Sequence, residues 1–311
     1  MSDTRPLPFT YQFIAGAVAG ISEILMMYPL DVVKTRMQLQ VNKPTGAIGE
    51  QYSGVFDCIK KIVKTEGPTR LYRGISAPIM MEAPKRATKF ATNDEFGKFY
   101  KKLFGMNEIN QPLAILNGAS AGACESFVVV PFELVKIRLQ DKTSKYTGAI
   151  DVVRKVIQQE GILRMYNGLE ATLWRHVTWN AAYFGSIFQI RQLMPKYEDK
   201  TKRMLVDLVS GCIGGITGTV LNIPFDVVKT RVQNQVQVPG AKLKYNWAWP
   251  ALATIYKEEG AGALTKGLLP KVMRLGPGGG VLLVVFTKTM DFFRGHYYQD
   301  GKKPETPKRL D

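Results

Sequence analysis

This chain of 311 residues is poor in the groups on which most enzymes and secreted domains depend. It has three cysteines and two histidines. Cys58, Cys124 and Cys212 are odd in number and show no metal-ligand spacing. A disulfide framework and a thiolate metal site are therefore both excluded, and the three read as small buried hydrophobes. No nucleophile–base pair, phosphate loop or metal cluster is present. No catalytic residue, metal or cofactor is assigned, and a soluble enzyme loses its support. The run Gly278–Gly280 lies in an apolar helix and reads as close helix packing rather than a phosphate cradle. Residues Met1 to Phe9 have neither an apolar signal core nor an Arg-rich presequence, so any targeting information is expected to be internal.

Acidic residues are also scarce, 26 against 42 basic ones, for a net charge of +16. Such an excess suggests nucleic acid, an anionic lipid surface or a small anion as partner. The bases recur at fixed places rather than in one cluster, and no base-reading module occurs, which excludes nucleic acid and leaves lipid headgroups, a small anion, or both. Long uncharged runs are missing as well. The longest, Leu208 to Phe225, holds eighteen residues between Asp207 and Asp226, short of the twenty or so of a simple membrane span. Either the helices are buried in a soluble protein, or they cross a membrane with one face lining water. Ionisable groups in a bilayer cost roughly 2.5–3.5 kcal/mol each, so they persist facing a cavity or one another. Their recurrence at matching places favours the second reading.

What the chain does have is one ten-residue phrase written three times. It reads Pro29-Leu-Asp31-Val-Val-Lys34-Thr-Arg36-Met-Gln38, then Pro131-Phe-Glu133-Leu-Val-Lys136-Ile-Arg138-Leu-Gln140, then Pro224-Phe-Asp226-Val-Val-Lys229-Thr-Arg231-Val-Gln233. Thirteen residues before each proline a Gly-xxx-Gly pair begins, at Gly16, Gly118 and Gly211. Beyond each phrase a tyrosine is followed fifteen residues later by glycine: Tyr52 and Gly67, Tyr146 and Gly161, Tyr245 and Gly260. An acid (Glu66, Glu160, Glu259) precedes each of these glycines, and another glycine (Gly74, Gly168, Gly267) follows seven residues later. A repeat of this kind decides the architecture. Three units are expected, at 10–103, 111–196 and 204–297, followed by a polar basic tail at 298–311.

Within each unit the pattern predicts a long helix kinked by its proline, a short amphipathic surface helix and a second long helix. The first long helices are expected at 10–39, 111–140 and 204–233, where the Gly-xxx-Gly pair admits a neighbouring backbone. The surface helices are expected at 53–65, 147–159 and 246–258. In the first of them Val55, Ile59, Ile62 and Val63 form the apolar face. The second long helices are expected at 75–103, 169–195 and 268–296. The fold class is an all-α membrane protein, six transmembrane helices plus three short surface helices in a pseudo-threefold barrel.

These motifs resemble the mitochondrial carrier family, over roughly residues 10–297. The family pattern is Pro-x-acid-x-x-base-x-base, then acid-Gly, four residues, and aromatic-base-Gly. Unit one satisfies it through Tyr72-Arg73-Gly74, whereas unit two has Tyr166-Asn167-Gly168 and unit three Thr265-Lys266-Gly267. The resemblance implies a matrix gate in which Asp31, Glu133 and Asp226 pair with Lys34, Lys136 and Lys229 of neighbouring helices. Gln38, Gln140 and Gln233 would brace those pairs. The residues alone leave ordinary i, i+3 surface pairs as the alternative. Cardiolipin and other inner-membrane lipids would bind near Gly74, Gly168 and Gly267. Carrying the repeat offsets onto the family's second gate leaves one acid and one base, so a weak cytosolic gate, the pair Asp94–Arg191, is expected. Gates of unequal strength predict that the empty chain rests open to the cytosol.

The same offsets connect Met81, Arg175 and Arg274, the levels at which the family contacts substrate. Lys85 and Lys89 follow Met81 on one helical face, and His176 follows Arg175. Two arginines on different helices with lysines on a third suit an anion with two separated negative ends, arginine's fork matching carboxylate. Glu23 and Glu125 lie six residues before their prolines; proton uptake or pairing with cavity bases are their alternatives, pairing being favoured. Met80-Met-Glu82-Ala-Pro84-Lys85-Arg86, Trp174-Arg175-His176 and Lys271 to Gly280 are most similar to the oxodicarboxylate branch of the family. That likeness implies a monomeric secondary transporter exchanging 2-oxoadipate and 2-oxoglutarate across the mitochondrial inner membrane, which would link lysine metabolism on the two sides. A carrier of the same fold for malate, citrate or 2-oxoglutarate alone is the alternative.

Overall fold

The computed structural model describes residues 7–41, 52–105, 111–193, 200–236 and 243–299. Each phrase-bearing segment forms one unbroken helix: α1 (Phe9–Leu39), α4 (Gln111–Gln140) and α7 (Lys200–Asn234). Pro29, Pro131 and Pro224 sit inside these helices rather than at their ends. The surface helices are α2 (Val55–Glu66), α5 (Ala149–Glu160) and α8 (Ala248–Glu259), each stopped by a glycine at positive φ. The second long helices are α3 (Ser76–Phe104), α6 (Leu169–Leu193) and α10 (Leu268–Gln299). Short 3-10 segments at Pro68–Tyr72 and Ile162–Tyr166, and a four-residue helix α9 (Ala261–Leu264), join surface helix to long helix. Periodicity did not reveal these joints, since a single turn is too short to show a period. The linker residues 42–51 and 237–242, residues 194–196 of the second unit, and the tail from 300 lie outside the described residues; residues 298 and 299 of the expected tail belong to α10.

The six long helices close on themselves. The broadest contacts run between successive units, α3 on α4, α6 on α7 and α10 on α1, and the thinner contacts of α1 with α3, α4 with α6 and α7 with α10 complete the ring. The phrase-bearing helices also touch one another, drawing their C-terminal halves to the axis. Four of the long segments, Thr10–Leu39, Leu116–Gln140, Val209–Asn234 and Ala261–Tyr297, are long and apolar enough to cross a membrane. α3 carries Glu82, Lys85 and Arg86 instead, and these pair with each other: Glu82 accepts from Lys85 at 2.5 Å and from Arg86 at 2.7 Å. Paired charges of this kind are what a bilayer-spanning helix tolerates.

The Gly-xxx-Gly expectation needs correction. In unit one the space over Gly16 and Gly20 is filled by the Arg86 and Glu82 side chains of α3, not by a backbone. Gly118, Gly122 and Gly215 meet nothing within 4 Å. The close backbone approach in unit three is made by Gly214 and Gly218, whose added β-carbons would lie 3.1 Å and 3.2 Å from the Tyr183 and Trp179 carbonyls of α6. The right spacing was read on the wrong face. Of the run Gly278–Gly280, only Gly278 backs onto a neighbour, Glu23 and Met27 of α1; Gly279 and Gly280 face open space.

Two further corrections concern α2 and the cysteines. Val63 is exposed, and Cys58 takes its place in the buried face with Val55 and Ile62. Burial pushes the Cys58 thiol up to about 12, so it behaves as an apolar group. Cys124 is only half-buried and Cys212 is exposed, so the buried reading holds for one cysteine of three.

Gly168 and Gly267 tie each unit to the next. Both have φ of +81°, and added β-carbons would lie 2.8 Å from Gln233 Cγ and 2.9 Å from Gln38 Cγ, both on fully buried side chains. Gly74 makes the corresponding approach to Leu139 of α4. Gly168→Ala therefore combines backbone strain with a clash and is expected to cost about 3 kcal/mol. Gly161, at φ +88° with nothing nearby, isolates the backbone part. Thermal unfolding in detergent should show a fall in melting temperature for Gly168→Ala at least twice that for Gly161→Ala; equal falls would remove the interlocking role.

Candidate functional site

The acid, base and glutamine of each phrase follow one another at intervals of three and four residues, so they share the axis-facing side of their helices. The resulting ion pairs connect helices and are not i, i+3 surface pairs. Lys34 of α1 donates to Asp226 of α7 at 2.9 Å, Lys136 of α4 donates to Asp31 of α1 at 2.7 Å, and Lys229 of α7 lies 2.5 Å from Glu133 of α4. The three pairs form a closed cycle. Asp226 and Lys229 are almost wholly withdrawn from solvent, at 3% and 6% exposure. Buried pairs of this kind cost much to break singly, because the partner is left as an uncompensated charge.

Gln38, Gln140 and Gln233 are also fully buried. Gln38 accepts from the Thr230 hydroxyl at 2.7 Å rather than joining an ion pair. Gln140 and Gln233 make no hydrogen bond to a lysine or acid of the ring among the described residues. The second base of each phrase, to which sequence reasoning assigned no role, reaches the acid that precedes the later glycine. Arg36 clasps Glu66 through two bonds of 2.9 Å, and Arg138 and Arg231 hold Glu160 and Glu259 in the same forked manner. Arg138 also donates to the Gln233 and Gln235 carbonyls, and Arg231 to those of Gln38 and Gln40. Orphan carbonyls at a helix C-terminus are satisfied by a cation of the preceding unit.

Inside this ring lies a cavity of about 480 Å³, lined by Arg175 of α6 and Arg274 of α10 together with all six charges of the ring. Arg274 grips two acids, donating to Asp31 Oδ1 at 2.5 Å and to Glu23 Oε1 at 2.8 Å. Glu23 is thus paired with a cavity base. Lys271, one turn away on α10, donates to Asp226 at 2.6 Å and to the Asn222 amide oxygen at 2.7 Å. Sequence reasoning missed Lys271 because the repeat offsets lead from it to Thr172 and Pro78, which carry no charge. Arg175 stands 3.7 Å from Asp226 and 3.1 Å from His176 Nε2.

A second cavity, of about 390 Å³, shares Arg175 and Lys271 with the first and adds Lys89, Glu125, His176, Trp179 and Asn180. Of the residues expected to meet substrate, Arg175 and Arg274 share the larger cavity, and Lys89, His176 and Arg175 the second. Lys85 is turned onto Glu82 of its own helix, and Met81 is half-buried on α3. Asp94 is exposed and pairs with Lys98 of its own helix at 2.7 Å, while the side chain of Arg191 lies outside the described residues. No group of three or more potential metal ligands occurs among the described residues.

A closed ring of charges beneath a cationic lumen is an arrangement for binding an anion and controlling its passage. The family model described as mitochondrial carrier protein matches residues 5–104, 108–198 and 200–297. The mitochondrial citrate transporter D of Aspergillus niger is 66% identical over 295 residues, covering 93% of this chain and 96% of its own. Mitochondrial 2-oxodicarboxylate carrier 2 of Saccharomyces cerevisiae is 57% identical over 301 residues, covering 96% and 98%. The mitochondrial 2-oxodicarboxylate carrier of Bos taurus is 40% identical over 294 residues, covering 92% and 95%. Three matched segments, six long helices in a ring and a charged lumen lead to one conclusion: the chain belongs to the mitochondrial carrier family, as a transporter of the inner membrane and not an enzyme.

Proposed function

We propose that the chain is an antiporter exchanging 2-oxodicarboxylates, 2-oxoadipate and 2-oxoglutarate, by alternating access. The observation that carries this reading is the pair Arg175 and Arg274, on different helices and lining one lumen above the ring of ion pairs. Two forked cations at separate points suit a dianion with a carboxylate at each end. Asp31, Glu133 and Asp226 with Lys34, Lys136 and Lys229 form the matrix gate, paired here as a cytosol-open state requires. Lys89 and His176 extend the contact surface, and Met81 and Lys85 join it once Lys85 leaves Glu82. Asp94 and Arg191 meet only when the cytosolic side closes. Cardiolipin docks beside Gly74, Gly168 and Gly267, and the working unit is a monomer.

Citrate is the second reading, favoured by the 66% identity to a protein named a citrate transporter. Purified carrier in liposomes preloaded with 2-oxoglutarate distinguishes the two. External labelled 2-oxoadipate is expected to enter at least about ten times faster than labelled citrate, and to enter only against internal substrate. Citrate entering faster would replace the substrate proposed here and leave the transporter class intact.

A further inference from the structure

We infer that Glu23 is a specificity-determining residue that limits the lumen to substrates with two negative charges; this rests on the oxodicarboxylate reading. The larger cavity holds six cations, the three ring lysines with Arg175, Lys271 and Arg274, against four carboxylates, the three ring acids with Glu23, a net of two positive charges. The second cavity adds Lys89 and Glu125, which cancel. The fourth carboxylate therefore decides whether the lumen balances a dianion or a trianion.

The geometry assigns Glu23 a built position. Its Oε1 takes the outer nitrogen of Arg274 at 2.8 Å, and behind it Gly278 leaves space in which an added β-carbon would come within 3.2 Å of the same oxygen. Glu23 thus occupies half of the Arg274 fork, while Asp31 holds the other nitrogen. Its counterpart Glu125 stands in the second cavity with Lys89 and Arg175, and the third counterpart is Gly218, over which the Trp179 indole lies. The three units thus contribute carboxylate, carboxylate and a glycine covered by the indole of unit two. Two of the three places can subtract charge, and among the described residues Glu23 is the one of the two that hydrogen-bonds an arginine directly.

With its carboxylate removed, the lumen carries three positive charges in excess and the Arg274 fork is half free. A third substrate carboxylate then gains a partner in place of a repulsion. At a separation of several ångströms and an effective dielectric constant of about 20, one charge changes binding by roughly tenfold or more. The expected result is that Glu23→Gln raises the ratio of citrate to 2-oxoglutarate uptake at least ~10-fold in preloaded liposomes, with Glu23→Asp returning to the wild-type ratio. Glu23→Ala removes the same charge and raises the ratio likewise should Glu23→Gln fail to insert, whereas Glu125→Gln, which frees no part of the Arg274 fork, raises it less. An unchanged ratio in folded Glu23→Gln, or equal loss of both activities, would overturn the assignment. The wild-type preference for 2-oxoadipate over citrate separately decides the oxodicarboxylate reading, so the two failures are distinguishable.

Discussion

Arg175→Ala and Arg274→Ala are each expected to slow oxodicarboxylate exchange at least ~100-fold while the carrier remains folded, since a charge-assisted bond is worth about 1.5–3 kcal/mol and a bidentate one more. The two losses should differ in kind. Arg274→Ala leaves Glu23 and one oxygen of Asp31 without their partner, so the lumen loses a positive charge and gains exposed negative ones. Dianion binding should then collapse beyond what the missing contact alone explains. Arg175 is held only loosely by the ring, 3.7 Å from Asp226, and its loss removes a substrate contact with little rearrangement. A lysine at either place should recover a minor part, because it keeps the charge without the fork. Exchange into preloaded liposomes measures the loss, and the rise in melting temperature on adding substrate measures binding. Undiminished exchange in both alanine variants would exclude this lumen as the substrate path.

The triplicated phrase made the architecture legible, because a repeat reports which residues occupy equivalent places without any knowledge of contacts. Helix positions and the threefold closure follow from it, whereas the pairing of Asp31, Glu133 and Asp226 with lysines of neighbouring helices came from the family resemblance, the repeat alone leaving i, i+3 pairs open. What stayed hidden has physical reasons. The clasp of Arg36 on Glu66, and its two counterparts, spans an unequal number of residues in each unit because the linkers differ in length. The packing face of the glycines was misread because every Gly-xxx-Gly pair has the same spacing, and only the partner helix decides which pair is used. Gly214 and Gly218 won in unit three because Tyr183 and Trp179 press there.

Departures from threefold symmetry were the hardest to see, and they lie nearest to substrate. Lys271 has no charged equivalent, so comparison of units discards it, yet it reaches Asp226 and lines both cavities. Arg274 was found from the repeat, but its grip on two acids at once was not, since Glu23 and Asp31 lie far from it in sequence. Symmetry builds the barrel and the gate. The exceptions to symmetry give the lumen its chemistry, because a small asymmetric anion cannot be matched by three identical walls.

The gate itself can be tested by exchanging charges between helices. Glu133→Lys or Lys229→Glu alone places two like charges against each other in a buried ring, where leaving one buried charge unpaired costs about 3–5 kcal/mol. Each single variant is expected to lose exchange by roughly two orders of magnitude or more. The double variant Glu133→Lys with Lys229→Glu restores opposite charges at the same pair of positions, between α4 and α7, and should recover at least a tenth of wild-type activity, about the tenfold deficit that 1.4 kcal/mol of imperfect geometry imposes. A control swap within one helix, Asp226→Lys with Lys229→Asp, keeps the i, i+3 spacing but sets the new lysine against Lys34 and Lys271, and should recover nothing. The outcomes separate two physical pictures. If pairing between helices closes the ring, only the swap across helices rescues; if the charges were independent pairs along each helix, the swap within α7 would do so instead, and the ring would be an incidental product of packing.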